Sequence, residues 1–109
     1  MQLLVELQGT DGKSFLVKRS WLQSFCNFEP VLECHVGHDP IQLINVNGLE
    51  LKILILWMEF DANNDHRELQ QLMGNQENCL TLRRLAREFG NGRLFDDATV
   101  KIMQNWFYS

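Results

Sequence analysis

Proline is scarce in this chain, with Pro30 and Pro40 the only two, and cysteine is confined to Cys26, Cys34 and Cys79. An odd number of thiols leaves one unpaired under any pairing. The start, Met1-Gln2-Leu3-Leu4-Val5-Glu6, has neither a basic opening nor a sustained apolar stretch. A secretory signal and an oxidising compartment are therefore not expected, and the cytoplasm or nucleus is. No apolar run approaches the roughly 18 residues needed to span a bilayer, so no membrane partner is expected. Positive charge is also in short supply: 10 Lys and Arg against 14 Asp and Glu give a net charge of −4, which argues against a protein devoted to neutralising phosphates. Catalytic hallmarks are missing too. There is no nucleophile in a recognisable elbow, no glycine-rich phosphate loop and no carboxylate pair in a catalytic setting, so neither an enzyme nor a cofactor is expected.

What is present suits one core. A chain of 109 residues, 45% hydrophobic, buries roughly two-thirds of its unfolded surface as one domain, taken as 1–109. Val5 and Leu7 alternate with Glu6 and Gln8, then Gly9-Thr10-Asp11-Gly12-Lys13 intervenes, then Phe15 and Val17 alternate with Leu16 and Lys18. That pattern predicts a β-hairpin with an Asp-Gly turn. Ser20 followed by Gln23 reads as a capping box for a short helix with Trp21, Leu22, Phe25 and Cys26 on its buried side, interrupted by Pro30. Gly37 to Pro40 is a breaker cluster, and Ile41-Gln42-Leu43 is a brief third strand.

The next junction is ambiguous by local rules. Asn47-Gly48 between apolar residues is a hairpin signal, which would make the following segment a strand. Against that, Leu49, Ile53, Leu56, Trp57 and Phe60 recur at helical spacing, and Asn47 with Glu50 reads as an N-cap with its capping-box partner. Length favours the helix. From Asp61 to Asn78 the apolar pattern thins into an expected exposed connection. Leu82, Leu85, Ala86 and Phe89 then define a helix that stops at Gly90-Asn91-Gly92. A last helix runs from Asp96 or Asp97 through Phe107. Its Val100, Ile102, Met103, Trp106 and Phe107 span about half the circumference, more than one core contact requires.

Two other clusters have simpler readings. Cys26, Cys34, His35 and His38 offer only one pair near the two-to-four-residue spacing of structural zinc, so loop histidines and a buried thiol are the expectation and no metal is assigned. Arg83, Arg84, Arg87 and Arg93 could meet nucleic acid, but Glu77, Glu88 and two aspartates lie close by, which favours a solvated helix face.

Several stretches resemble one family. Thr10 to Val17, Gln23-Ser24, Val31-Leu32-Glu33 and above all Asp39-Pro40-Ile41-Gln42-Leu43-Ile44-Asn45-Val46-Asn47 followed by Leu51 to Trp57 look like the S-phase-kinase-associated adaptors, which with elongin C link cullins to substrate receptors in ubiquitin ligases. The similarity continues more weakly from Leu80 to Phe107. It implies an α/β BTB/POZ fold, a small three-stranded sheet flanked by helices, and makes Asn47 a helix cap. It also implies adaptor work without catalysis, with a cullin-type scaffold on one surface and a helix-presenting receptor on another.

Carried over by position, the cullin side falls on Asn45, Glu88, Phe89 and Asn91. The receptor groove falls on Val100, Met103, Trp106 and Phe107, unless those side chains are simply core. The chain departs from the family in three places. Glu88-Phe89 stands where Asn-Tyr is usual, and a carboxylate there repels an acidic partner or calls for a basic one. Ser24 to Leu32 has one residue more than the pattern, with Pro30 inside its second helix. The further helices that grip F-box receptors have no counterpart after Phe107. These departures suggest the alternative of a module repurposed for dimerisation or scaffolding.

Overall fold

The computed structural model describes residues 3–35, 37 and 39–108. Strands β1 (Leu4–Gln8) and β2 (Ser14–Lys18) form the hairpin, with Val5 opposite Val17 and Leu7 opposite Phe15. Val5, Leu7 and Val17 point inward and are almost fully buried. Strand β3 (Ile41–Gln42) joins the other edge of β1 in parallel, giving a three-stranded sheet in the order β2-β1-β3. Six α-helices complete the mixed α/β architecture: α1 (Arg19–Leu22), α2 (Glu29–Cys34), α3 (Gly48–Ala62), α4 (His66–Met73), α5 (Gln76–Phe89) and α6 (Gly92–Tyr108). A 3-10 turn, Cys26–Phe28, separates the first two.

The Asn47 junction starts a helix. Both halves of its capping box form: the Glu50 N–H donates to Asn47 Oδ1 at 2.9 Å, and the Asn47 N–H donates to Glu50 Oε1 at 3.0 Å. Such a cap contributes about 1 kcal/mol. The hairpin tip is tied to the same point. Asp11 Oδ1 accepts from the Gly48 N–H at 3.0 Å and the Thr10 N–H donates to the Val46 carbonyl at 2.8 Å. A Cβ on Gly9 would lie 2.9 Å from the Val46 carbonyl oxygen and one on Gly48 2.7 Å from Lys13 Cδ, so neither position has room for a side chain.

Several expectations need correction. The inner face of α3 is Leu51, Leu54, Trp57 and Met58, whereas Leu49 is 68% exposed. Ile53, Leu56 and Phe60 are only partly buried because this apolar helix touches the sheet, α1, α4 and α5 on different sides. No capping box forms at Ser20; Lys18 occupies the N-cap without a side-chain bond, and α1 ends at Leu22. Cys26 is exposed, and the buried thiol is Cys79. Pro30 interrupts nothing, since it occupies the first turn of α2, where its missing N–H has no intrahelical partner to lose.

The Asp61–Asn78 connection contains α4, capped by Asp65 and anchored by Leu69, Leu72 and Met73. Helix α5 begins earlier than its apolar spacing implied, at an Asn75 cap. Helix α6 begins at Gly92, because Asn91 Oδ1 accepts from the Leu94 N–H at 3.0 Å. The core cluster joins the sheet to α3 and α5, with Leu94 and Ala98 of α6 laid against it. Leu22, Leu54, Leu82 and Leu85 are fully buried; truncating one to Ala costs roughly 2–5 kcal/mol.

Candidate protein-interaction surfaces

Asn45 and Glu88, distant in sequence, meet around one arginine. Arg84 Nη1 donates to the Asn45 carbonyl at 2.9 Å and lies 3.6 Å from a Glu88 carboxylate oxygen, while its Nη2 pairs with Glu50. Asn45 holds a positive φ of 63°, a left-handed conformation that Asn tolerates better than most residues. Its neighbours Ile44 and Leu49 are 75% and 68% exposed, so apolar side chains flank this polar network. The surface thus combines exposed apolar side chains with one guanidinium set between two carboxylates, Glu50 and Glu88.

Phe89 is placed differently. It is half-buried and stacks on Phe28 with ring centroids 4.7 Å apart, and Phe28 continues edge-on to Phe25 and Phe25 to Trp57. Asn27 Nδ2 donates to the Glu88 carbonyl at 2.9 Å, and the Cys26 N–H donates to the Gly90 carbonyl at 3.1 Å. The turn after α1 is therefore bolted to the end of α5. Asn91 offers nothing to a partner: it is 5% exposed and its amide is the cap of α6.

The receptor-side residues face outward. Val100, Met103, Trp106 and Phe107 are 50%, 55%, 75% and 70% exposed, so these rings are not core. The inner face of α6 is instead Leu94, Ala98 and Ile102, with Asn105 Nδ2 donating to the Met73 carbonyl at 3.1 Å. Leu80 of α5 extends the patch. It lies on the helical stripe between Gln76, which donates to the Ile102 carbonyl, and Arg83, which donates to Thr99 Oγ1, and it is itself exposed. The two rings alone present about 200–400 Å², already comparable with the largest apolar patch on a typical monomer.

The four arginines do not act as one cationic patch. Arg84 is held as above, and Arg83 lies over the Phe95 ring at 4.5 Å. Arg93 pairs with Asp61 at 2.8 Å and lies 5.5 Å from the Trp57 ring; the Asp61 hydrogen bond raises its already high pKa. Arg87 is exposed and makes no ion pair among the described residues. Of the residues weighed for zinc, His38 lies outside the described residues. His35 Nε2 is 2.6 Å from the Asp39 carbonyl, and among the described residues no three His, Cys, Asp or Glu side chains are grouped to hold a metal. Nor is any described helix long and apolar enough to cross a membrane.

Sequence reasoning placed none of Arg84, Ile44, Leu49 and Leu80 at these two surfaces. The only sequence signal for Arg84 was its place four residues before Glu88, at ion-pair spacing. The chain matches no protein-family model, and no curated protein matches it.

Proposed function

We propose that this chain is a non-catalytic adaptor of BTB/POZ type that bridges a cullin-type scaffold to a helix-presenting receptor in a ubiquitin ligase complex, in the cytoplasm or nucleus. The single observation that carries the reading is the uncovered face of α6, where Val100, Met103, Trp106 and Phe107 stand exposed beside Leu80. An amphipathic helix is the natural cover for such a stripe. The scaffold side is the Asn45–Arg84–Glu88 surface with Ile44 and Leu49. There Arg84 partly neutralises Glu88, which lessens the repulsion a lone carboxylate would impose on an acidic partner. Because that ion pair is exposed, the relief is modest. A second reading, a dimerising or scaffolding module that binds no cullin, draws on the same uncovered α6 face.

Affinity purification from cells separates the two. Wild type and Glu88→Asn should recover a cullin, and Trp106→Asp/Phe107→Asp should retain the cullin while losing the receptor. Both rings are exposed, so the double variant should unfold within about 0.5 kcal/mol of wild type. Recovery of cullin by neither wild type nor Glu88→Asn removes the ligase reading. A dimer on a sizing column without cullin recovery favours the alternative.

A further inference from the structure

Between β3 and α3 the chain makes a two-residue excursion, Ile44-Asn45, with a buried neighbour fastened on each side. The Leu43 N–H donates to the Gln8 carbonyl at 2.9 Å, and the Val46 carbonyl accepts from the Thr10 N–H at 2.8 Å. Ile44 and Asn45 themselves are exposed. Among the described residues, the only hydrogen bond that either makes is the one from Arg84 Nη1 to the Asn45 carbonyl at 2.9 Å.

Both terminal nitrogens of that guanidinium are engaged. While Nη1 holds Asn45, Nη2 pairs with Glu50 Oε2, and the other oxygen of the same carboxylate accepts from the Asn47 N–H at 3.0 Å. Arg84 thus ties the crest of the turn to the capping box that ends it. A rigid fork with separately directed donors can do this; a lysine ammonium, a point charge on a flexible stem, keeps the charge and loses the geometry. What the tether fixes is the left-handed Asn45 and, through it, the direction of the neighbouring Ile44. An untethered turn would have to be ordered as a partner closed on Ile44, and that ordering is subtracted from affinity.

We propose that Arg84 is a positioning residue for the scaffold side, holding the Ile44-Asn45 turn in its docking shape before any partner arrives. What docks there rests on the scaffold reading above, whereas the first measurement needs no partner. Amide relaxation by NMR on the free chain should give Ile44 and Asn45 order parameters of about 0.85 in wild type, like Leu43 and Val46, and below about 0.6 in Arg84→Lys. Arg87→Lys, the same change at an exposed arginine without an ion pair, should leave the turn ordered. So should Glu88→Asn, because the bonds to Asn45 and Glu50 survive it. In affinity purification Arg84→Lys should bind cullin about tenfold more weakly than wild type, the factor that ordering one backbone residue on binding is worth. Circular dichroism checks that each variant folds. The proposal is overturned if Ile44 and Asn45 stay ordered in Arg84→Lys, if Arg87→Lys loosens them as much, if Arg84→Lys unfolds the whole domain, or if the loosened variant recovers as much cullin as wild type. Should wild type recover none, the ligase reading falls and the order parameters alone decide for Arg84.

Discussion

Gly90 is the position where one methyl group should do most damage. It closes α5 in a left-handed conformation, φ 85° and ψ 50°, with its N–H donating to the Ala86 carbonyl at 2.9 Å. Alanine there incurs about 1–2 kcal/mol of backbone strain. Its Cβ would also stand 2.5 Å from Cys26 Sγ and 3.1 Å from Asn27 Cγ, a clash that forces the 3-10 turn to shift. Overpacking of this kind adds about 1–3 kcal/mol. Gly90→Ala should therefore lose roughly 3 kcal/mol, which for a chain of this size lowers Tm by at least about 12 °C. Urea unfolding followed by circular dichroism measures it. In a Cys26→Ala background the sulfur is gone, and the loss should fall to about 2 kcal/mol, leaving the backbone strain and the tight approach to Asn27. A penalty below about 0.5 kcal/mol, or one equal in both backgrounds, would refute the reasoning.

Two further outcomes follow from titratable groups. At Asp11 burial pushes the carboxyl up, but N–H donors from Gly48 and Lys13 outweigh it and hold the pKa below the ordinary 3.8. A depressed folded pKa means that the stabilisation is complete above pH 3.8 and drains away as the pH falls through the lower folded value. The difference in urea midpoint between wild type and Asp11→Ala should hold at neutral pH and close in that acid window; a pH-independent difference would sink this account. Burial pushes the Cys79 thiol above its ordinary 9.0, against a small opposing pull from Lys101, while Cys26 and Cys34 are exposed. A thiol reagent at mildly alkaline pH should thus react quickly at Cys26 and Cys34, and at Cys79 only after denaturant; three equally fast thiols would contradict the packing around Met73.

How far the fold could be read ahead of the structure depended on the range of each interaction. The hairpin and the Asn47 cap were legible because turn chemistry and capping act over three or four residues. Helix α4 carried the same kind of signal, Asp65 three residues before Glu68, but its eight residues and few apolar positions hid it among amides. The inner face of α3 was misjudged because a helix touched on several sides has no single apolar stripe to count. Periodicity likewise grouped Val100, Met103, Trp106 and Phe107 but could not say whether anything covered them. Arg84 was invisible as a hub, since only the folded chain brings Asn45, Glu50 and Glu88 around one guanidinium. Asn91 failed as a contact for the opposite reason, a short-range capping role that competes with any partner.

The aromatic ridge on α6 also bears on abundance. Rings left bare to water are what chaperones and degradation machinery seize, so copies in excess of whatever covers them would be short-lived. On the adaptor reading proposed above, supply of this chain would be set by its receptor as much as by its own synthesis.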